Sequence, residues 1–351
     1  MNERHPLLAE ELARIAALDL PYAQFDGKTV AVTGAGGLVG NYLMRALDAV
    51  RRTHGLNLTL IALCRSPERT RAQLRGVDGL RCIEYDATRP LTADFRADYV
   101  LHAAANAHPL AFSTDPVGTM QGNILGTMNL LEHIRETGGR FILFSTGEIY
   151  GERPDLPGGF DETSFGSVDP MNPRACYPES KRAAETLCAA YASQYGVDAL
   201  AARLTYTYGA TITDRNSRAD AQFLRHALAG EDIVLKSTGA QVRSYCYAAD
   251  AASALLTLML KGETAKAYNI ANPSCAVSIR EYAETLAELV GVRVVFDLPP
   301  EEEKRGYSAV TRAVLNPERL MSLGWSAEYD LRAGLRRTLE ISKSNGTGGV
   351  T

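Results

Sequence analysis

The six cysteines of the sequence include no CxxC pair and are scattered along the chain. This spacing indicates neither a zinc site nor a disulfide framework, and it fits the reduced thiols of a cytoplasmic protein. No apolar run reaches the ~20 residues that a membrane-spanning helix needs. Charge of one sign is also lacking, since 37 basic residues stand against 41 acidic ones. We therefore expect no metal, no membrane and no nucleic-acid partner.

Short apolar runs alternate with amphipathic segments of helix length from residue 28 to about residue 200. The strand-like runs include KTVAVTG, LTLIALCR, ADYVLHAAA and RFILFST, and the helix-like segments include NYLMRALDAVRRT and SKRAAETLCAAYASQYG. Such alternation is typical of βαβ units. It predicts an α/β fold with a doubly wound parallel sheet that is covered on both faces.

A glycine-rich motif, TGAGGLVG, follows the run KTVAV and precedes the helix-like NYLMRAL. Its glycines Gly34, Gly37 and Gly40 have GxxGxxG spacing, and Leu38 and Val39 lie between the last two. Small residues at such a turn let the backbone approach a pyrophosphate, and the helix N-terminus supplies N–H donors and partial positive charge. The motif predicts that a dinucleotide binds here.

The end of the second predicted strand leaves the choice between NAD and NADP open. An acidic residue here would bind the ribose 2′-hydroxyl of NAD, but this strand ends in Cys64, Arg65 and Ser66. Arg65 could accept the 2′-phosphate of NADP, or it could be a solvated residue that opens the next helix. Asp86, after the strand-like RCIEY, is a candidate contact for the adenine amino group.

The segments outside this alternation suggest how the chain is divided. Residues 1–26 predict an amphipathic helix packed on the sheet domain, and their charges exclude a secretory signal. The sheet domain is predicted to comprise residues 27–205, with 240–265 returning to it. A smaller C-terminal α/β cap, residues 206–239 and 266–340, would cover the carboxyl ends of the strands. Residues 341–351, rich in Gly, Ser and Thr, predict a disordered tail. Residues 211–218 predict an exposed loop.

Tyr177 and Lys181 form a YxxxK pair at the start of a predicted long helix. One helical turn separates them, so both side chains lie on the same face. An ammonium beside a phenol favours the phenolate and lowers the pKa of the tyrosine, which makes it a general base for an alcohol. Thr146 ends the preceding predicted strand and could join this pair.

These motifs resemble the extended short-chain dehydrogenase/reductase superfamily, which contains nucleotide-sugar epimerases, dehydratases and decarboxylases. The matching features occur in the family's order: TGAGGLVG at 33–40, HAAA at 102–105, NILGTMNLLE at 123–132, STGEIYG at 145–151, YPESK at 177–181 and YNIANP at 268–273.

The resemblance implies a Rossmann domain with a C-terminal substrate-binding cap and a tightly held NAD, or NADP if Arg65 binds its phosphate. It also implies a triad of Thr146, Tyr177 and Lys181 that oxidises a sugar C4 hydroxyl transiently. The substrate would be a small nucleotide sugar, and the protein a homodimer joined through a four-helix bundle. Further cofactor contacts implied by the resemblance are Ala103, Ala104, Ala105 and Asn123, besides Tyr177 and Lys181.

The stretch Thr146-Gly147-Glu148 is similar to the T-S-E of UDP-glucuronate decarboxylases. The 4,6-dehydratases have an acidic residue where this chain has Gly147, and epimerases usually have a small or hydroxyl residue where it has Glu148. Residues 174–188, RACYPESKRAAETLC, also resemble the decarboxylases, as does RSYCY, in which Arg243 matches an active-site arginine. Thr146, Gly147 and Arg243 are therefore candidate substrate contacts.

Glu148 and Arg243 each have two interpretations. Glu148 could hold or activate the water that protonates C5 after CO₂ is lost, or it could cap the turn at residues 149–151. Arg243 could orient the substrate, or it could form a salt bridge with an acid such as Asp250.

Two stretches depart from the family pattern. RLTYTYGA, residues 203–210, has Tyr206 where members usually have an asparagine that contacts the sugar diphosphate. LKSTGAQVR, residues 235–243, lacks the usual aromatic residue that stacks on the base. Tyr206 is thus a candidate substrate contact within an altered nucleotide site.

The sequence favours an NAD(P)-dependent enzyme of the UDP-glucuronate decarboxylase type. A nucleotide-sugar C4 epimerase is the nearest alternative, and an NADPH ketoreductase is a third. A non-catalytic, cofactor-binding protein of the same fold is a further alternative, since a fold does not determine a function.

Overall fold

The computed structural model describes residues 5–107, 109–152, 159–212, 216–298 and 311–346. Its strands are β1 (Thr29–Thr33), β2 (Thr59–Cys64), β3 (Arg81–Glu84), β4 (Tyr99–His102), β5 (Arg140–Thr146), β6 (Asp198–Leu204), β7 (Tyr206–Tyr208), β8 (Ile233–Leu235), β9 (Val242–Tyr247), β10 (Ala267–Ile270), β11 (Ala276–Ser278), β12 (Val294–Phe296) and β13 (Arg312–Ala313). Its helices are α1 (Pro6–Ala16), α2 (Leu38–His54), α3 (Pro67–Gln73), α4 (Pro109–Thr114), α5 (Pro116–Thr137), α6 (Cys176–Tyr195), α7 (Ala219–Ala229), α8 (Ala248–Lys261), α9 (Ile279–Val290), α10 (Glu318–Met321) and α11 (Leu331–Gly346).

Seven strands form one parallel sheet in the order β3-β2-β1-β4-β5-β6-β10. Its central strands are apolar and buried along almost their whole length, as expected of a parallel sheet covered on both faces. The predicted α/β class and doubly wound sheet are confirmed. The strand order reverses between β1 and β4, and open α/β sheets bind ligands at the carboxyl side of such a point.

Helices cover both faces of this sheet. On one face α2 packs against α1 and α8, and buried side chains such as Leu43 and Leu255 fill the space between them. On the other face α5 packs along α6, where Leu130 and Ala184 are fully buried. Among the described residues, none of the helices combines the length and the apolar character that crossing a membrane requires.

A second, smaller sheet lies beyond the carboxyl end of the large one. Its central strand β9 pairs with β7 and β13 in parallel and with β11 in antiparallel orientation, while β8 and β12 pair separately. The sequence-based division returned residues 240–265 to the sheet domain and assigned 266–340 to the cap. In the structure β9 belongs to the second sheet and β10 is an edge strand of the large one. Short apolar runs look alike in sequence, so tertiary pairing decides which sheet accepts them.

The C-terminal helix is longer than the sequence predicted. The disordered tail was predicted for residues 341–351, but α11 continues through Gly346. Ile341 is fully buried in the main core, and this burial stabilises the extra turns. The prediction is therefore wrong for residues 341–346, and residues 347–351 lie outside the described residues.

Candidate active site

The glycine-rich turn after β1 has no room for a side chain at Gly34 or Gly40. Gly34 has a φ of +65°, and a Cβ there would lie 2.9 Å from main-chain atoms of Ala103 and Ala104. The Gly37 N–H donates to the Gly34 carbonyl at 2.9 Å, and a Cβ on Gly40 would collide with that carbonyl. The turn thus forms a bare backbone cradle at the N-terminus of α2, which fits the pyrophosphate of a dinucleotide.

Hydrogen bonds of Thr33 join the ends of β1 and β4 beside this turn. Thr33 Oγ1 lies 2.9 Å from His102 Nδ1 and accepts a hydrogen bond of 2.9 Å from the Ala104 N–H. Leu38 and Val39, which begin α2, are partly buried against the main core. The predicted cofactor residues after β1 and β4 are therefore brought together at the point where the strand order reverses.

Arg65 and Asp86 lie at the outer end of the same edge of the sheet. Arg65 is exposed directly after β2, and Asp86 follows β3. Asp86 Oδ1 accepts hydrogen bonds from the main-chain N–H and the hydroxyl of Thr88, at 2.9 and 2.8 Å. The Thr88 N–H bond is the largest effect that lowers the pKa of Asp86, and the nearby charge of Arg65 lowers it too. The two charges therefore lie close together on this edge.

Tyr177 is buried in the first turn of α6. Its side chain hydrogen bonds with Thr146, the last residue of β5, and Thr146 Oγ1 accepts from the Glu148 N–H at 3.2 Å. The Tyr177 ring stacks on Phe112 with 4.6 Å between ring centres, and Ala105 packs beside them. The structure thus brings the predicted tyrosine and threonine together.

The pKa of Tyr177 differs from the sequence-based expectation. Burial raises this pKa, whereas we expected Lys181 to lower it. Lys181 instead donates from Nζ to the Phe144 carbonyl at 2.7 Å, and burial lowers the pKa of Lys181 itself to about 8. The groups that favour the Tyr177 phenolate are Thr146, through its hydrogen bond, and the charges of Arg218 and Arg174.

Glu148 forms an ion pair at the mouth of this site. Arg174 Nη2 donates to Glu148 Oε2 at 2.9 Å, and the same guanidinium lies 4.4 Å from the centre of the Phe112 ring. Thr146, rather than Glu148, caps the short 3₁₀ helix Gly147–Tyr150. The capping role considered for Glu148 is therefore filled by another side chain.

Gly147 lies close to the side chain of Leu315, from the C-terminal part of the chain. A Cβ at this position would be 3.0 Å from Leu315 Cδ1. A longer acidic side chain, as the 4,6-dehydratases have here, would need Leu315 to move.

Arg243 is almost fully buried on β9. Its side chain hydrogen bonds with Tyr206, and its guanidinium carbon lies 5.8 Å from the centre of the Tyr206 ring. Asp250, the salt-bridge partner considered from the sequence, accepts the main-chain N–H groups of Glu328 and Tyr329 at 3.0 and 3.2 Å. Burial raises the pKa of Tyr206, and Arg243 opposes this increase. Arg243 and Tyr206 thus form a pair beside the site.

Asn123 on α5 bonds to α6, the helix that carries Tyr177. It is fully buried, and its Nδ2 donates to Ser180 Oγ at 2.9 Å; Ser180 in turn bonds to the carbonyls of Cys176 and Tyr177. Asn123 Oδ1 has no hydrogen-bond partner among the described residues. Because a buried acceptor is normally satisfied, this oxygen marks a place for a donor from a bound molecule.

Two arginines of this site, Arg174 and Arg218, were not predicted from the sequence. Arg174 precedes Tyr177 by three residues, so the spacing itself could have indicated it. Arg218 interacts electrostatically with Tyr206, Tyr177 and Glu148. Residues 211–218 were predicted to be an exposed loop. Residues 213–215 lie outside the described residues, and the prediction is wrong for Arg218, whose side chain is 23% exposed. The packing of α7 brings it to the site, and no local pattern could indicate that.

Comparisons with known proteins found a family profile and several relatives that match this chain. The profile of the NAD dependent epimerase/dehydratase family matches residues 30–271. UDP-glucuronic acid decarboxylase 1 of Danio rerio is 31% identical, over 90% of this chain and 72% of that protein. UDP-glucuronic acid decarboxylase 6 of Arabidopsis thaliana is 32% identical, over 87% of this chain and 86% of that protein.

Solved structures show the same fold. An epimerase from Methanothermobacter thermautotrophicus superposes with a TM-score of 0.79 at 20% identity and covers 97% of both chains. UDP-glucuronic acid 4-epimerase from Bacillus cereus, solved with UDP-glucuronic acid and NAD, superposes with a TM-score of 0.75 at 20% identity, over 90% of this chain and 99% of that one.

Proposed function

The chain belongs to the NAD dependent epimerase/dehydratase family, and we propose that it decarboxylates a nucleotide-linked uronic acid, as a UDP-glucuronate decarboxylase does. The observation that carries this proposal is the Glu148–Arg174 ion pair, which lies beside the buried phenol of Tyr177. An epimerase needs no acid at this position, whereas a decarboxylase has a carbanion to protonate.

The cofactor would be NAD, which accepts a hydride from the substrate and later returns it. The backbone cradle of Gly34, Gly37 and Gly40 would hold its pyrophosphate at the N-terminus of α2, and the close main-chain packing of this turn needs glycine at Gly34 and Gly40, where a Cβ would collide with neighbouring main-chain atoms. The orphaned Asn123 Oδ1 is an acceptor for a cofactor donor. Arg65 and the Asp86 carboxylate lie at the edge where the adenosine half would bind, so binding assays should compare NAD with NADP.

Tyr177 would remove the proton from the C4 hydroxyl of the sugar. Thr146 would hold the same hydroxyl, because it ends β5 within hydrogen-bonding reach of the phenol. Burial disfavours the phenolate, and the positive charges of Arg218 and Arg174 offset part of that cost. The YxxxK spacing keeps the Lys181 ammonium one helical turn away.

Oxidation at C4 turns a uronic acid into a β-keto acid. The bond between C5 and the carboxyl carbon then breaks, CO₂ leaves, and the electron pair passes to the C4 oxygen, which Tyr177 stabilises by a hydrogen bond. The resulting enolate takes a proton at C5. Glu148 would hold the water that supplies this proton, while Arg174 fixes the carboxylate in place.

Cationic side chains near Tyr177 would bind the anionic parts of the substrate. Arg218 and Arg243 flank Tyr206, and Arg174 lies at Glu148. A nucleoside diphosphate and a sugar carboxylate both suit guanidinium groups, which bind oxyanions in bidentate fashion. Tyr206 occupies the place of the usual asparagine and would contact the same region.

We also propose a homodimer in the cytoplasm. Val117 and Met120, 66% and 38% exposed, form an apolar stripe with Met128 on the outer face of α5, beside α6. Burying such a stripe in a four-helix interface would remove apolar area from water. Met120→Glu should give a monomer by light scattering if the stripe is the interface.

The proposed compartment rests on the cysteines. All six are free thiols, which suits a reducing compartment.

Incubation with a panel of nucleotide sugars tests the function. Purified protein would be mixed with nucleotide-linked uronates and neutral sugars, first without added cofactor and then with added NADPH, and product masses followed. Loss of 44 Da together with CO₂ release supports decarboxylation. A product of unchanged mass with inverted C4 indicates an epimerase, turnover only with added NADPH indicates a ketoreductase, and no turnover on any sugar contradicts the proposal.

A further inference from the structure

Three side chains of α6, spaced four residues apart, contact three consecutive residues at the end of β5. Tyr177 bonds to the side chain that ends the strand. Lys181 Nζ donates to the Phe144 carbonyl at 2.7 Å, and Ser145 Oγ donates to Glu185. Because residues four apart share one helix face, Glu185 lies on the same face as the catalytic pair. The family pattern that identified the first two residues gave no indication of the third.

Glu185 is held in place from the neighbouring strand. Arg203 on β6 lies opposite Ser145 in register and donates to both carboxylate oxygens of Glu185, from Nε at 3.0 Å and from Nη2 at 2.7 Å. Its remaining nitrogen donates to the Tyr150 hydroxyl at 2.8 Å. The Arg203 and Glu185 side chains are only 10% and 13% exposed. A bidentate pair of this kind fixes both position and direction of the carboxylate.

Glu185 also supplies a negative charge that acts on the Lys181 ammonium from the same helix face. Burial lowers the pKa of Lys181 to about 8, and the charge of Glu185 acts against this decrease. The other titratable groups that interact with Lys181 are Cys188, one turn further on the helix, and His102 on β4. Burial raises the pKa of the Cys188 thiol and lowers that of His102 to about 3, so both groups are neutral.

We propose that Glu185 is a positioning residue, which keeps Lys181 charged and docked on the end of β5 while Arg203 and Ser145 hold its carboxylate in place. Its effect on turnover rests on the proposed function. Its effect on Lys181 does not, because the ionisation of a lysine can be measured without substrate.

The first test is a titration of Lys181 by NMR. Protein labelled with ¹³C-lysine would be followed from pH 6 to 10, with the Lys181 signal assigned by its loss in Lys181→Met. Glu185→Gln keeps the size of the side chain and removes its charge, so the Lys181 midpoint should fall by about one pH unit. The alkaline limb of kcat/KM should move by the same amount, a loss of about fivefold at pH 8, while activity at pH 6.5 stays near that of the unmodified protein. An unchanged Lys181 midpoint overturns the proposal.

Two further variants separate this effect from a loss of folding. Glu185→Gln combined with Arg203→Met removes the buried pair together and leaves no uncompensated charge, and it should shift the Lys181 midpoint in the same direction. The control variant combines Arg140→Met with Asp198→Asn. It removes the ion pair of 2.7 Å that joins the first residues of β5 and β6, at the far end of these strands from Ser145 and Arg203. It should lower the melting temperature without moving the Lys181 midpoint. An equal shift in this control overturns the proposal. A shifted midpoint in a protein that converts no nucleotide sugar leaves the inference standing and contradicts the proposed function.

Discussion

Arg174 donates a hydrogen bond of 2.9 Å to the carboxylate of Glu148 while its guanidinium lies 4.4 Å from the centre of the Phe112 ring. Phe112 in turn stacks on Tyr177. The guanidinium of the ion pair and the ring of Tyr177 thus both contact the side chain of Phe112. Burial is the largest effect that raises the pKa of Tyr177, and the charge of Glu148 raises it too, whereas the charge of Arg174 opposes that increase.

Replacing the carboxylate of Glu148 should separate oxidation from product formation. Glu148→Gln removes the group expected to hold the water that protonates C5, so product formation should fall about 100-fold. Reduced cofactor should still form on mixing with substrate, because Tyr177 and Thr146 are untouched. The measurement is absorbance at 340 nm alongside product mass.

A second glutamate offers a matched control for this variant. Glu179 has the same side-chain exposure as Glu148, 31%, and likewise pairs with an arginine, Arg182, at 3.0 Å. Glu179→Gln should leave product formation unchanged within about twofold. Equal activity of the two variants would return Glu148 to a structural role.

Removing the phenol hydroxyl of Tyr177 should abolish turnover and spare cofactor binding. Tyr177→Phe keeps the stacking on Phe112 but has no group that can accept the C4 proton, so kcat should fall about 10³-fold or more. The cofactor content of the purified protein, measured after denaturation, should match that of the unmodified protein. A variant that retains most of its activity would refute the role of Tyr177 as base.

Locally determined features of the site could be predicted from the sequence. The glycine turn at Gly34 and the pair Tyr177 and Lys181 depend on spacing within one turn or one helix, and spacing is visible in sequence. The position of Arg218 and the direction of the Tyr177 pKa shift could not be predicted, because both depend on which elements pack around the site. The sequence-based division placed the residues of β9 in the sheet domain, whereas β9 pairs within the second sheet, and the reason is the same.

Two glycines with the same backbone conformation offer a test of the phosphate cradle. Gly34 and Gly55 have φ of +65° and +63°, but a Cβ on Gly34 would meet the main chain of Ala103, whereas a Cβ on Gly55 would meet nothing within 4 Å. Each substitution by alanine should lower the free energy of unfolding by about 1 kcal/mol, because a residue with a Cβ is disfavoured in the left-handed conformation. Gly34→Ala should in addition lose bound cofactor, and Gly55→Ala should keep it, as measured by calorimetric titration with NAD. Equal affinities would mean that the turn does not contact the dinucleotide.

Stability should fall as the pH rises through the range in which Glu11 ionises in the folded protein. Glu11 on α1 is buried, accepts hydrogen bonds from Tyr42 and from Tyr247 at 2.9 Å, and lies 3.3 Å from Arg337 Nη1. Burial is the largest effect and raises the pKa of Glu11 from 4.5 to about 7. The folded state therefore holds a proton that the unfolded chain has already released. This contribution is fully present below pH 4.5 and is lost as the pH approaches 7.

A glutamine at position 11 should remove most of this pH dependence. A shift of this size corresponds to about 3 kcal/mol of unfolding free energy between pH 4.5 and 7.5, measured by urea unfolding, and Glu11→Gln should flatten that slope. Some slope should remain, because burial also raises the pKa of Asp250 to about 6. Glu10→Gln is the control, since exposed Glu10 bonds to the same Arg337 at 2.6 Å; its charge has only the smallest of the effects that act on the Glu11 pKa, so this variant should change the slope only slightly. A slope that survives in Glu11→Gln would show that the proton is bound elsewhere.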